Sequence, residues 1–235
     1  MHRPVLFLFI LLQMWLPCSL AGQKSDYRLF DNISLGTEAS VISCFLQDTQ
    51  GLIWIGSNKG LFSYDGYSSQ PHFTFGERSN TRIYCGEVVD STYLYMGADN
   101  GLLIYNYRTD TYQEPEADFP TDIRTLALRD GVLWLGTLNG LYTYSPETRQ
   151  LSAITEGLPH QTIYSIIRAS DDNLYIGTYN GCGRYIPATG CFETINLPVT
   201  GGRSNQFVNS LLEDTARGCI WIGTEGCLFK YTPAN

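Results

Sequence analysis

Five aspartates recur at nearly even spacing along the chain: Asp48, Asp90, Asp130, Asp172 and Asp214. Paired carboxylates can work on a glycosidic bond, one as acid and the other as base or nucleophile. Each of these five, however, follows an apolar segment at the same point of a repeated phrase. An Asp at such a point accepts hydrogen bonds from backbone N–H groups a few residues on, so the recurrence predicts turn chemistry rather than catalysis. Glu38 and Asp122 do not repeat, and they are the pair a glycoside hydrolase or lyase would have to use. The sequence has no nucleophile elbow, no phosphate loop and no H-E-x-x-H. No C-x-x-C pair occurs, and His72 and His160 are the only histidines beyond His2, so neither a zinc site nor any cofactor is expected.

Five short polar stretches carry the remaining candidates: 34-SLGTEAS-40, 78-RSNTR-82, 120-PTDIR-124, 158-LPHQT-162 and 201-GGRSNQ-206. They differ from one another while their flanks repeat, as ligand-contacting loops do. Arg82, Asp122, Arg124, His160, Gln161, Arg203, Asn205 and Gln206 are the candidate binding residues. Arg, Asn and Gln suit hydroxyls and carboxylates, the groups a sugar presents.

The elements that must position these residues come from an internal repeat. The segments 53-IWIGSNKGLFSY-64, 94-LYMGADNGLLIY-105, 133-LWLGTLNGLYTY-144, 174-LYIGTYNGCGRY-185 and 220-IWIGTEGCLFKY-231 share one pattern. It is apolar, Trp or Tyr, apolar, Gly, a few variable residues, then a second Gly before the next apolar run. Each reads as a β-hairpin, and three carry Asn-Gly, a strong hairpin signal. Gly60, Gly101, Gly140, Gly181 and Gly226 are expected to supply the left-handed turn residue. Gly56 and its counterparts are expected to allow close backbone approach or a bulge. The aromatics at 54, 95, 134, 175 and 221 lie mid-strand and are expected to pack between units.

An apolar segment precedes each hairpin, for example 41-VISCFLQD-48, and a weaker one follows, for example 72-HFTF-75. That makes four strands in about forty residues, the period of a β-propeller blade. The fold class is therefore all-β, a β-propeller of about five four-stranded blades. The blades fall around 39–75, 81–115, 121–155, 161–197 and 206–235, within a propeller region of 22–235. Segment 26-DYRLF-30 could close the fifth blade, giving a five-bladed ring; the same count suits part of a seven-bladed one.

Residues 1–21 read as a secretory signal peptide: a short positive start, an apolar run over 5–16, and Ser19-Leu20-Ala21 as the cleavage site. A periplasmic location follows. No second apolar span appears, and a net charge of -8 offers no footprint for nucleic acid. Cys18 falls in the leader. Of the other six cysteines, Cys44 and Cys85 occupy equivalent first-strand places, and Cys182 and Cys227 read as equivalent in third strands. Most are expected to be buried small hydrophobes rather than disulfide partners.

The stretch 31-DNISLGTEASVISCFLQDTQGLIWIGSNKGLFSYDGYS-68 resembles the two-component regulator propeller repeats. Gln47-Asp48, Gly51, Trp54-Ile55-Gly56, Gly60-Leu61 and Tyr64-Asp65-Gly66 carry the likeness, which extends over nearly the whole chain beyond the leader. It is similar to the opening of the periplasmic sensor region of Bacteroides-type hybrid two-component histidine kinases. The resemblance implies two seven-bladed propellers, an immunoglobulin-like domain, a membrane span, a kinase and a receiver. It also implies sensing of polysaccharide breakdown products, by a segment with no catalytic activity, in a parent that forms homodimers. With five repeats here, the expectation is a truncated sensor that binds an oligosaccharide. The alternatives are a self-contained exported propeller, an exported glycoside hydrolase or lyase, and a protein-interaction scaffold.

Overall fold

Alternating apolar residues and glycine-closed turns make hairpins, and each hairpin here gains a strand on either side. The computed structural model describes residues 35, 41–72, 81–113, 118–198 and 206–233. The leader, segment 26–30, Glu38, residues 73–75, Arg203 and Asn205 lie outside the described residues. All the described elements are strands. Blade one holds β1 (Ile42–Gln47), β2 (Ile53–Ser57), β3 (Gly60–Tyr64) and β4 (Ser69–Pro71). Blade two holds β5 (Ile83–Val88), β6 (Tyr93–Ala98), β7 (Gly101–Asn106) and β8 (Thr111–Gln113). Blade three holds β9 (Ile123–Arg129), β10 (Val132–Thr137), β11 (Gly140–Ser145) and β12 (Gln150–Ile154). Blade four holds β13 (Ile163–Arg168), β14 (Leu174–Thr178), β15 (Gly181–Ile186) and β16 (Cys191–Ile195). Blade five holds β17 (Val208–Asp214), β18 (Cys219–Thr224) and β19 (Leu228–Tyr231). Among the described residues each blade is an antiparallel sheet in chain order, four strands wide in blades one to four and three in blade five. The outer strand of blade one, β4, begins at Ser69, ahead of the apolar 72–75 segment that the sequence suggests, of which only His72 is described.

The core is divided among the seams between blades. Trp54 and Leu61 of blade one pack with Ile83, Leu94, Met96 and Tyr105 of blade two. Tyr95 and Leu102 meet Ile123, Leu126 and Leu135 of blade three. Trp134 and Leu141 meet Ile163, Ile166 and Ile176 of blade four. Tyr175 and Cys182 meet Val208, Leu211 and Ile222 of blade five. The repeated aromatics thus pack between blades in all four seams.

Each seam is keyed by a glycine. A Cβ at Gly56 would lie 2.8 Å from Cγ2 of Ile83, and one at Gly97 would lie 2.6 Å from Cγ2 of Ile123. Gly136 faces Ile163 at 2.6 Å, and Gly177 faces Val208 at 2.7 Å. A β-branched residue at the head of each innermost strand is seated where the preceding blade has no side chain, so contact is close-packed.

The repeated aspartates do turn chemistry. Asp48 Oδ1 accepts from the N–H groups of Gln50 and Leu52, and its Oδ2 accepts from the Trp54 indole at 3.0 Å. Asp90 accepts from the N–H groups of Thr92 and Tyr93, and Asp130 and Asp172 take positive φ themselves. The hairpin glycines 60, 101, 140 and 181 all have positive φ. Blade five departs from the expectation. Leu228 pairs with Gly223 as Leu61 pairs with Gly56, so Cys227 occupies the place of Gly60 and Gly226 falls one position earlier. Thr224 Oγ1 donates to the Cys227 carbonyl just as Ser57 Oγ donates to that of Gly60. Neither Gly226 nor Cys227 takes a positive φ. The structural counterpart of Cys182 is therefore Leu228, not Cys227. Cys44, Cys85, Cys182, Cys191 and Cys219 are free thiols; Cys182 and Cys219 are buried and Cys191 is exposed. Burial pushes the Cys44 thiol up to about 11, and that of Cys85 higher still.

Candidate functional site

At the head of every innermost strand the pairing register slips by one residue. Ile42 pairs with Ser57 and Cys44 with Gly56, leaving Ser43 between them unpaired. The same slip isolates Tyr84, Arg124, Tyr164 and Asn209. A β-bulge re-aims the side chain of its extra residue. The five bulge residues stand one per blade, directly after the residue that keys the seam. This is the same end of the blades as the loops that lead into the innermost strands. Those loops are tied to the hairpin turns beside them. The Asp99 N–H donates to the Arg82 carbonyl at 3.1 Å, the Asp122 N–H to that of Asp99 at 3.1 Å, and the Gly181 N–H to that of Gln206 at 2.6 Å.

The side chains at this end fall into two groups. On blades two and three the Arg124 guanidinium lies 3.8 Å above the centre of the Tyr84 ring. It also pairs with Asp122 at 3.0 Å, and Asp122 accepts from the Tyr84 hydroxyl at 3.3 Å. Arg124 Nε is buried without a partner. Asp122 takes a φ of 56°, a left-handed conformation that a short acidic side chain tolerates. Arg82 is exposed beside this group, its backbone N–H donating to Asp99 Oδ1.

On blades four and five the group is aromatic. Tyr164 meets Phe207 at 4.6 Å between ring centres, Phe207 meets Tyr179 at 5.6 Å, and Tyr179 meets His160 at 5.4 Å. Tyr179 is exposed and Tyr164, Phe207 and His160 are half-buried. His160 Nδ1 accepts from the Thr162 N–H at 3.0 Å, which places the proton of the neutral ring on Nε2 as a donor. Gln161 is exposed. Gln206 is turned inward, its amide donating to the Leu197 carbonyl, and serves the loop. Of the candidates read from the sequence, Arg82, Asp122 and Arg124 come together on one side and His160 and Gln161 on the other. Tyr84, Tyr164, Tyr179 and Phe207 escape a reading confined to polar loop residues. For Tyr84 and Tyr164 the signal is a position that varies, Ser, Tyr, Arg, Tyr, Asn, between neighbours that repeat.

A second cluster resembles a nucleophile–base–acid relay. Ser63 Oγ lies 2.8 Å from His72 Nε2, and His72 Nδ1 lies 3.3 Å from Asp110 Oδ1. Ser63, however, is buried mid-strand in β3. The Tyr105 hydroxyl donates to Asp110 at 2.6 Å, and Trp54 packs on the imidazole at 4.9 Å. A nucleophile must meet its substrate, whereas these groups meet one another. The cluster joins the outer part of blade one to blade two. Among the described residues no group of three His, Cys, Asp or Glu could hold a metal ion, and no helix is long and apolar enough to cross a membrane.

Residues 36–59 and 157–180 match the family model for the two-component regulator propeller. No protein with a curated description matches the chain. The crystal structure of the extracellular domain of a putative hybrid two component system, BT4673 from B. thetaiotaomicron, is 67% identical with a TM-score of 0.83; the match covers 88% of this chain and 28% of that one. The extracellular domain of BT3049 from the same organism is 19% identical, with a TM-score of 0.69 over 82% of this chain and 29% of that one. Virginiamycin B lyase from Staphylococcus aureus, at 11% identity and a TM-score of 0.61, covers 83% of this chain and 71% of its own, and shares the fold. The propeller blades, the repeat match and the likeness to BT4673 agree: the chain carries two-component regulator propeller repeats and resembles the extracellular domain of a hybrid two component system, of which it spans 28%.

Proposed function

We propose that this chain is the periplasmic ligand-sensing propeller of a hybrid two-component regulator, and that it binds an oligosaccharide at the bulged end of its innermost strands. In this reading residues 1–21 direct export, and the membrane span, kinase and receiver of a phosphorelay belong to a longer parent that signals as a homodimer. The carrying observation is the two-sided set of side chains at the bulged end of the innermost strands. Tyr164, Phe207 and Tyr179 offer aromatic faces for the apolar faces of sugar rings, while Arg124 with Asp122, exposed Arg82 and His160 Nε2–H offer hydrogen bonds to hydroxyls or carboxylates. Asp122 is held by Arg124 and Tyr84, which suits orientation of a ligand better than proton transfer.

The test is calorimetric titration of the exported chain with a panel of neutral and acidic oligosaccharides. One of them should bind, and Tyr164→Ala should weaken it roughly tenfold, the equivalent of about 1.4 kcal/mol. Loss on Arg124→Ala for acidic sugars alone would mark the carboxylate contact. Binding that ignores Tyr164, Tyr179 and Arg124 together would place the ligand elsewhere.

A further inference from the structure

The arginine between blades two and three is charged, yet its surroundings suit a hydroxyl better than an acid. A carboxylate is gripped best by two parallel N–H donors of a guanidinium at once. On Arg124 that fork is taken. Nη2 donates to Asp122 Oδ1 at 3.0 Å, and Nε is buried. The Tyr84 ring covers one face of the guanidinium at 3.8 Å. Among the described residues Nη1 is the donor left uncommitted. Asp122 is held as firmly as its partner: its φ is 56° and its N–H donates to the Asp99 carbonyl. The bonds its side chain makes, from Arg124 and from the Tyr84 hydroxyl, both fall on Oδ1. The side chain is 35% exposed, so Oδ2 keeps its lone pairs for an incoming donor.

A hydroxyl donates and accepts at one oxygen. It satisfies both free positions together, donating to Asp122 Oδ2 and accepting from Arg124 Nη1. A carboxylate only accepts. It would compete with Asp122 for the same guanidinium and meet the charge of Asp122 beside it. The neighbouring loops supply no surplus of positive charge to offset this. Among the described residues, those that reach this end from blades two and three carry Arg82 and Arg124 against Asp99, Asp118 and Asp122. Selection between partners often rests on such a built-in repulsion as well as on a fitted contact.

We propose that the saccharide taken at this site is neutral, with one hydroxyl bridging Asp122 Oδ2 and Arg124 Nη1, and that Asp122 is the residue that excludes uronic acids. This rests on the reading of the bulged end as an oligosaccharide site and narrows it to one charge class. The experiment is calorimetric titration of the exported chain with oligomers of glucose, galactose and mannose, each beside its counterpart of the same linkage oxidised to the uronic acid at the primary hydroxyl. A neutral oligomer should bind the wild type, and its acidic counterpart should bind at least roughly tenfold more weakly. Asp122→Asn, which tolerates the left-handed backbone as aspartate does, should close that gap by admitting the acidic counterpart. Arg124→Gln should weaken the neutral oligomer without admitting the acidic one. Circular dichroism checks that the variants keep their sheets; where Asp122→Asn does not, Asp122→Gly, at home at a φ of 56°, carries the same comparison. An acidic oligomer that binds the wild type as well as its neutral counterpart overturns this inference and leaves the sugar-binding reading standing. So does a gap that survives the loss of the Asp122 charge, or neutral binding that ignores Arg124→Gln. If no oligomer of either class binds, the sugar-binding reading falls and this inference falls with it.

Discussion

Trp54 and Trp221 are the same residue at the same strand position, each with its indole N–H donating to the aspartate that opens its hairpin, at 3.0 and 3.2 Å. Trp54 is 2% exposed because blade two lies over it, with Ile83, Leu94 and Tyr105 in the shared cluster. Trp221 remains half-buried beside an open apolar hollow. Turn, indole bond and register are properties of a blade by itself. Burial is a property of a neighbour. The difference teaches that this molecule gains its shape blade by blade and its stability seam by seam.

Truncating the two tryptophans is the strongest way to break that comparison. Trp54→Ala should cost about 3–5 kcal/mol in urea unfolding, the usual range for a buried aromatic, and Trp221→Ala about 1 kcal/mol or less. Equal costs would mean that blade five is covered as fully as blade one. Filling a seam is the next largest effect. Gly97→Val would press on Cγ2 and the carbonyl of Ile123, both 2.6 Å from a Cβ there, and should cost about 1–3 kcal/mol. An unchanged urea midpoint would show that the seams are looser than their distances.

The smallest effects sharpen the comparison through pH. Glu87 stands in β5 where blades one, three, four and five have Leu46, Ala127, Ile167 and Leu212, and burial raises its carboxyl above the usual value. Its protonated form is favoured by folding, so stability from this group is greatest in acid and is lost as pH rises through the raised value. Glu87→Gln should therefore raise the melting temperature at neutral pH, with the gain vanishing in acid. Asp110 has the opposite sign. The Tyr105 hydroxyl, followed by His72, holds its carboxyl below the ordinary 3.8. Its contribution is complete above 3.8 and fades as pH falls through the lowered value. Asp110→Asn should therefore lower the melting temperature slightly at neutral pH, with the loss shrinking to nothing in acid, which flattens the acid limb of the melting curve.

The hairpins were legible because glycine, asparagine and alternation act locally, as at Asn100-Gly101 and Asn139-Gly140. The fifth turn was not, because the glycine of 225-EGC-227 drew the reading one residue away from the pairing of Leu228 with Gly223. Outer strand β4 begins before the apolar 72–75 stretch, because Ser69–Pro71 pairs with β3 although it is the less apolar segment; residues 73–75 lie outside the described residues. At the candidate site Arg82, Asp122, Arg124 and His160 follow from loop position. Tyr84 and Tyr164 do not, since only the register slip shows that an aromatic at the head of a strand is set apart from the seam.

Among the described residues the glycine-keyed seams join each blade to the next one in the chain. Innermost strands meet as β1 with β5, β5 with β9, β9 with β13 and β13 with β17. Studied as this segment by itself, such an array melts like a short one-dimensional stack, in which an end unit lets go before a middle one. Amide protons of β9 and β10 should therefore exchange with solvent most slowly, and those of β18 and β19 fastest. A ligand that touches Phe207 would slow exchange at that loose end, so occupancy could be read as a change in local opening rather than in shape.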